Sequence, residues 1–110
     1  MGELERILDN FLINMNNQSG LYAVYVLDIK NKNSAIKVIN SKNFSNNRVY
    51  DTLKQVLGLI KTNDFERLVI EHSERYFIKR ISENIFLLVV GDKKEPLGRT
   101  FAIASSLKLS

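Results

Sequence analysis

The chain has 110 residues, 45% of them hydrophobic and 25% charged, with a net charge of +4, the proportions of one ordinary globular domain. It contains no cysteine and one histidine, which excludes disulfides, cysteine-based zinc sites and thiol catalysis and leaves too few imidazoles for a histidine-built metal site or triad. Its lysines and arginines are interspersed with acids rather than gathered in a stripe, so no nucleic-acid footprint is expected.

The opening MGELERIL is acidic and amphipathic, unlike a signal peptide. The longest apolar run, Ile85 to Val90, is far too short to cross a bilayer. A cytoplasmic chain without membrane insertion is expected. Leu4, Ile7, Leu8, Phe11, Leu12 and Met15 recur at helical spacing and predict a first helix, with Ile13 off the stripe. NNQSG ends it in a turn suited to Gly20. LYAVYVLDI, residues 21–29, is apolar at odd and even positions alike, as in a strand covered on both faces. KNKNS reads as a turn, and AIKVIN, residues 35–40, as the second strand of a hairpin.

FSNNRVYDTLKQVLGLIKTN, residues 44–63, is the clearest helix, with Ser45 as N-cap and Phe44 packing onto Val49. Val49, Leu53, Val56 and Ile60 centre its apolar face; Tyr50 and Leu57 widen it on one side and Leu59 on the other. The resulting arc is about 180°, where a helix resting on one sheet needs only about 100°. The surplus predicts a second contact, such as another subunit. Gly58 interrupts the helix on its polar side, at a cost of about 1 kcal/mol against alanine.

Three strands follow, FERLVIEH, RYFIKRI and NIFLLVV, with links short enough for consecutive hairpins. The last is apolar on both faces; the two before it alternate more and carry Arg67, Lys79 and Arg80, as strands nearer an edge do. Tyr76, beside a hairpin turn, is open to exposure, though no residue pattern requires it. VVGDKKEPLGRT then leads into a last helix over residues 97–109, with Thr100, Phe101, Ile103, Ala104 and Leu107 on one side.

These elements assemble into an α+β fold of element order αββαβββα. The two strands apolar on both faces belong in the middle of the sheet, and hairpin neighbours fill in outward. The result is a three-layer α/β/α sandwich around a five-stranded, mainly antiparallel sheet of order 2-1-5-4-3. Its third strand is an edge, and Phe65, Leu68, Val69 and Ile70 make that edge too apolar to stand in water.

In GLYAVYVLD after an amphipathic helix, in ERLVIEHSERYFIKRISENIFLLVV and in PLGRTFAIASSLK, the chain resembles a Roadblock/dynein light chain domain along essentially its whole length. It departs from that pattern in the first hairpin, where many relatives have Asp-Gly and this chain has Asp28 followed by IKNKNSA. The resemblance implies a homodimer joined through third strands and middle helices. It also implies a non-catalytic scaffold or regulator that engages a small Ras-like GTPase, without cofactor or metal. Leu53, Leu57, Ile60, Phe65, Leu68 and Ile70 are the expected dimer surface. Two other functions share this strand order or architecture. A PAS-like small-molecule sensor needs a cavity and several short helices where this chain has one long one. A profilin-like or longin-like cytoskeletal or trafficking adaptor would be monomeric.

No residue is assigned to catalysis. VVGDKKEPLGRT has six residues between its glycines and Arg99 where a phosphate-binding loop has four and a lysine, and Pro96 lacks an amide to donate. His72, flanked by Glu71 and Glu74 in turn and strand, lacks converging ligands and reads as a solvated turn residue. Arg67, Arg75, Lys79 and Arg80 suit solubilising charge on outer strands better than an acidic docking surface.

Overall fold

The computed structural model describes residues 2–15, 20–39, 46–62, 66–71, 74–94 and 97–107, apart from the side chains of residues 46–50, 53, 62, 97, 99 and 101. Its elements are α1 (Glu3–Met15), β1 (Leu21–Asp28), β2 (Asn33–Val38), α2 (Asn46–Thr62), β3 (Arg67–Glu71), β4 (Arg75–Arg80), β5 (Ile85–Gly91) and α3 (Leu97–Ser106). The strands form one sheet in the order 2-1-5-4-3, as expected, and all four pairings are antiparallel.

β1 and β5 read as strands covered on both faces because they are. Every residue of β5 is buried, and only Tyr22 and Asp28 of β1 are partly open. Side chains alternate between faces along a strand, so the two central strands feed two separate cores. On one face α1 sets Ile7, Leu8, Phe11 and Met15, and α3 sets Ala104, against Val24, Val26, Phe77, Leu87 and Val89. On the other, Val56 and Ile60 of α2 pack on Tyr25, Tyr76, Ile78, Phe86, Leu88 and Val90. Burying each large aliphatic or aromatic side chain contributes about 1.5–3 kcal/mol. Ile13, off the predicted stripe of α1, is 73% exposed.

The structure differs from the sequence reading at several points. β2 begins two residues earlier than expected. The Asp28 carboxylate accepts the amides of Lys30 and Asn31 at 3.1 Å each and the Asn31 side chain at 2.9 Å. Lys32 supplies the left-handed conformation, φ 57°, that glycine adopts more readily. α3 ends at Ser106 rather than at residue 109, closed by a tighter bond from the Leu107 amide to the Ala104 carbonyl at 3.2 Å. Tyr76 is fully buried: its hydroxyl donates to Glu74 Oε1 at 2.5 Å, and Glu74 is itself buried. Thr52 is buried on α2 at a position where the sequence reading placed no core residue. The predicted cap Ser45 and staple residue Phe44 lie outside the described residues, as do Phe65, His72 and Pro96.

Candidate functional site

The stretch most suggestive of chemistry, VVGDKKEPLGRT, is a structural join. A bulge in β1 sets Leu21 opposite Gly91 and Ala23 opposite Val90, and this brings the Gly20 carbonyl across the end of β5. That oxygen accepts the Asp92 amide at 2.8 Å. A Cβ on Gly91 would meet it at 2.9 Å, which explains the glycine sterically. Asp92 in turn accepts the Lys94 amide at 2.8 Å and the Tyr22 hydroxyl at 3.3 Å. The Asp92 and Lys94 amides are thus engaged within the chain, where a phosphate cradle would aim its amides at a ligand. Burial first, and then the Asp92 carboxylate, raise Tyr22 above the ordinary tyrosine range. The cavity beside this join, lined by Leu21, Phe77, Val89 and Thr100 among others, is about 20 Å³, room for one water. Among the described residues no three acidic or histidine side chains gather into a metal-binding group, and no helix is long and apolar enough to cross a membrane.

What the fold does present is two sheet edges, one at β3 and one at β2. In an antiparallel pair, alternate residues direct their amide and carbonyl toward the neighbour and the rest point them away. The Arg80 amide donates to the Glu66 carbonyl at 2.8 Å, which fixes this alternation for β3. Leu68 and Ile70 bond toward β4, and Arg67, Val69 and Glu71 turn their backbone groups outward. The side chains divide by the same parity. Leu68 and Ile70 lie half-buried on the α2 face, whereas Val69 packs with the α1 and α3 layer, on whose side Arg67 and Glu71 are exposed.

The four cations noted in the sequence form no single patch. Arg75 pairs with Glu71 at 2.8 Å and Lys79 with Glu66 at 3.5 Å. Arg80 lies over the Phe86 ring at 4.6 Å and donates to the Glu83 carbonyl at 2.6 Å.

Of the expected dimer residues, Leu68 and Ile70 stand on the β3 edge and Ile60 is buried in the same layer. Phe65 and the side chain of Leu53 lie outside the described residues. Leu57 turns elsewhere: with Leu27, Ile29, Ser34, Lys32 and Lys61 it lines an open cleft of about 340 Å³ against the first hairpin. The apolar arc of α2 therefore has a core-facing centre and two flanks, one at Leu57 and Lys61 toward the hairpin. The other carries Leu59, 39% exposed, about 160° around the helix from Leu57 at about 100° per residue.

On β2, the Ile39 amide donates to the Tyr22 carbonyl at 2.8 Å, so Asn33, Ala35 and Lys37 bond toward β1 while Ser34, Ile36 and Val38 face outward. Ile36 and Val38 share the α2 face with their partners Tyr25 and Ala23 and are 53% and 43% exposed. Among the described residues, the core contributed by α2 reaches β1, β5, β4 and part of β3, but no residue of β2.

A five-stranded antiparallel sheet of order 2-1-5-4-3, with paired helices on one face and one long helix on the other, is the Roadblock/LC7 architecture. The chain matches no family model and no curated protein by sequence. Solved structures match it over 96% of its length. An MglB with a tetrameric arrangement superposes with TM-score 0.72 at 14% identity, over 85% of that chain. The gliding protein MglB of Thermus thermophilus gives 0.64 at 18%, over 88%. A Roadblock/LC7 domain of Streptomyces avermitilis gives 0.64 at 10%, over 94%. The chain has the Roadblock/LC7 fold.

Proposed function

We propose that the chain is a non-catalytic, homodimeric Roadblock-type scaffold that binds a small Ras-like GTPase in the cytoplasm. The observation that carries the dimer is the β3 edge. It combines outward backbone groups at Arg67, Val69 and Glu71 with half-buried Leu68 and Ile70, and an apolar edge strand of this kind calls for a partner strand. One antiparallel self-pairing suits its chemistry. Centred on Val69, it places Arg67 opposite the partner's Glu71 twice, and Leu68 opposite the partner's Ile70 twice. Opposite charges and apolar pairs across strands each contribute roughly 0.2–1 kcal/mol. Shifting the two-fold by one residue either way removes both charge pairs. In this dimer Ile60 supports the layer from beneath and Leu59 extends the surface along α2. Leu53 and Phe65 belong to the proposed surface on their sequence pattern alone. Leu57, facing the hairpin cleft, contributes least.

The GTPase partner is supported by the fold and by the likeness to MglB structures, one of them described as a gliding protein. A two-fold dimer offers a shared surface to one or two such GTPases. Sedimentation of the purified chain tests the first half: a monomer at every concentration removes the dimer and favours a profilin-like or longin-like adaptor. Titration with a small Ras-like GTPase from the same genome, loaded with GDP or with a non-hydrolysable GTP analogue, tests the second. Binding in one nucleotide state is expected, and binding in neither overturns it.

A further inference from the structure

The second sheet edge, remote from the proposed dimer strand, has chemistry of its own. Ser34, Ile36 and Val38 direct their amides and carbonyls outward, and no backbone hydrogen bond joins them to another described element. The same three residues put their side chains on the α2 face, where Ile36 and Val38 remain largely exposed. Ser34 also lines the cleft of Leu27, Ile29 and Leu57, which carries Lys32 and Lys61 together with Asp28 and Asn33. Edge and cleft are therefore one continuous surface, apolar at its floor.

Its charge selects the occupant. Lys32 and Lys61 are exposed in the cleft, and Lys37 is exposed on the other face of β2, beside its partner Val24 of the α1 layer. Asp28, which also lines the cleft, accepts the Asn31 side chain and the turn amides, hydrogen bonds that lower it below the ordinary carboxylate range and keep it anionic. A second copy of β2 is a poor partner, because a two-fold through Ile36 would bring Lys37 of both chains to neighbouring positions on the α1 face, where like charges repel. On that face the sign changes along the strand: Glu3 and Glu5 stand beside Asn33 and Ser34. The surface thus accepts an acid opposite Lys37, but none beside Asn33 on the α1 face.

We infer that β2 and the adjoining cleft form a docking site for an extended peptide segment of alternating apolar and acidic residues, added to the sheet as a sixth strand. Main-chain bonds to Ser34, Ile36 and Val38 hold it, apolar side chains cover Ile36, Val38 and the cleft on the α2 face, and the acid between them, on the α1 face, meets Lys37.

The test uses the full chain and a fluorescein-labelled peptide of alternating valine and glutamate, with the valine–lysine peptide as its counterpart. Polarisation is expected to show binding of the glutamate peptide, weakening as salt is raised. Hydrogen exchange should slow at the amides of Ser34, Ile36 and Val38 and stay unchanged at Arg67, Val69 and Glu71. Val38→Pro removes an outward amide without touching the ladder to β1 and should weaken binding by about tenfold or more. Lys37→Glu should weaken it by about threefold or more. Equal affinity for the lysine peptide, no binding of the glutamate peptide, or protection at β3 instead of β2 would each overturn the assignment. The exchange measurement on the unaltered chain decides the matter even if a variant fails to fold.

Discussion

Val69→Pro is the sharpest test of the proposed dimer. The Val69 amide points away from β4, since the bonded ranks of that hairpin are Glu66 with Arg80, Leu68 with Ile78 and Ile70 with Tyr76. Proline there removes no bond from the protomer, and Leu68 before it already has the extended backbone that a following proline requires. Across the proposed two-fold, however, each Val69 would donate to the other's carbonyl, so the substitution deletes two hydrogen bonds and sets two rings against the vacated acceptors. At about 1 kcal/mol net per bond the loss is at least about 2 kcal/mol, a dissociation constant raised roughly 30-fold. Sedimentation equilibrium over a concentration series reads that shift, and circular dichroism confirms an unchanged fold. A dissociation constant within about threefold of the parent, less than about 0.7 kcal/mol, would refute β3 as the dimer edge. Dissociation by Val38→Pro instead would move the interface to the opposite edge.

Five further outcomes are expected. Tyr76→Phe should cost about 1.5–3 kcal/mol in urea unfolding, because it takes a donor from the buried Glu74 carboxylate. Gly91→Ala should destabilise by about 1–3 kcal/mol, since its Cβ meets the Gly20 carbonyl, whereas Gly58→Ala, with open space at its Cβ, should stabilise by about 1 kcal/mol. Lys32→Gly should raise stability by about 0.5–1 kcal/mol, the relief at a left-handed residue outweighing glycine's greater freedom in the unfolded chain. Asp28 titrates below its unfolded value, foremost through its bond from the Asn31 side chain. Its contribution is thus present above the unfolded carboxylate pKa and lost as pH falls through the folded one. Asp28→Ala should accordingly flatten the acid limb of a stability–pH curve.

Much of the fold is legible in the sequence because burial leaves a direct imprint on it. The stripe from Leu4 to Met15 gave α1 and its buried face, and the unbroken apolar runs of β1 and β5 placed both in the middle of the sheet. What escaped depends on groups whose partners only folding supplies. The burial of Tyr76 follows from a hydrogen bond to Glu74. The early start of β2 follows from the Asp28 carboxylate and the conformation of Lys32. Helical spacing located Leu57 and Leu59 on opposite flanks of α2 but contains no information on which flank meets the hairpin, and Leu57 proves to be the one. The direction of the edge amides was likewise invisible, because parity requires a register, and register is a property of two strands together.

That parity bears on why the two edges should differ in their choice of partner. A strand pairs with a copy of itself only if its pattern complements its own reversal. β3 meets this condition: Arg67 and Glu71 are equidistant from Val69, so reversal exchanges a cation for an anion, and Leu68 for Ile70. β2 does not, since reversal about Ile36 exchanges Ala35 for Lys37 and leaves the positive charge without a counterpart. Both edges expose apolar side chains, and apolar burial alone has no direction. Charge placement therefore distinguishes the edge proposed to close a dimer from the edge proposed to take a different chain. Reversing the sign on β2 through Lys37→Glu leaves that strand equally unable to complement itself. Ala35→Glu would set a carboxylate against Lys37 of a second copy and so supply the missing pair. However, Ala35 is only 6% exposed and packs in the α1 layer, where an added carboxylate loses its hydration without gaining a partner in its own chain. Self-pairing at β2 is thus opposed twice, by the surface charge of Lys37 and by the buried site that its complement would have to occupy.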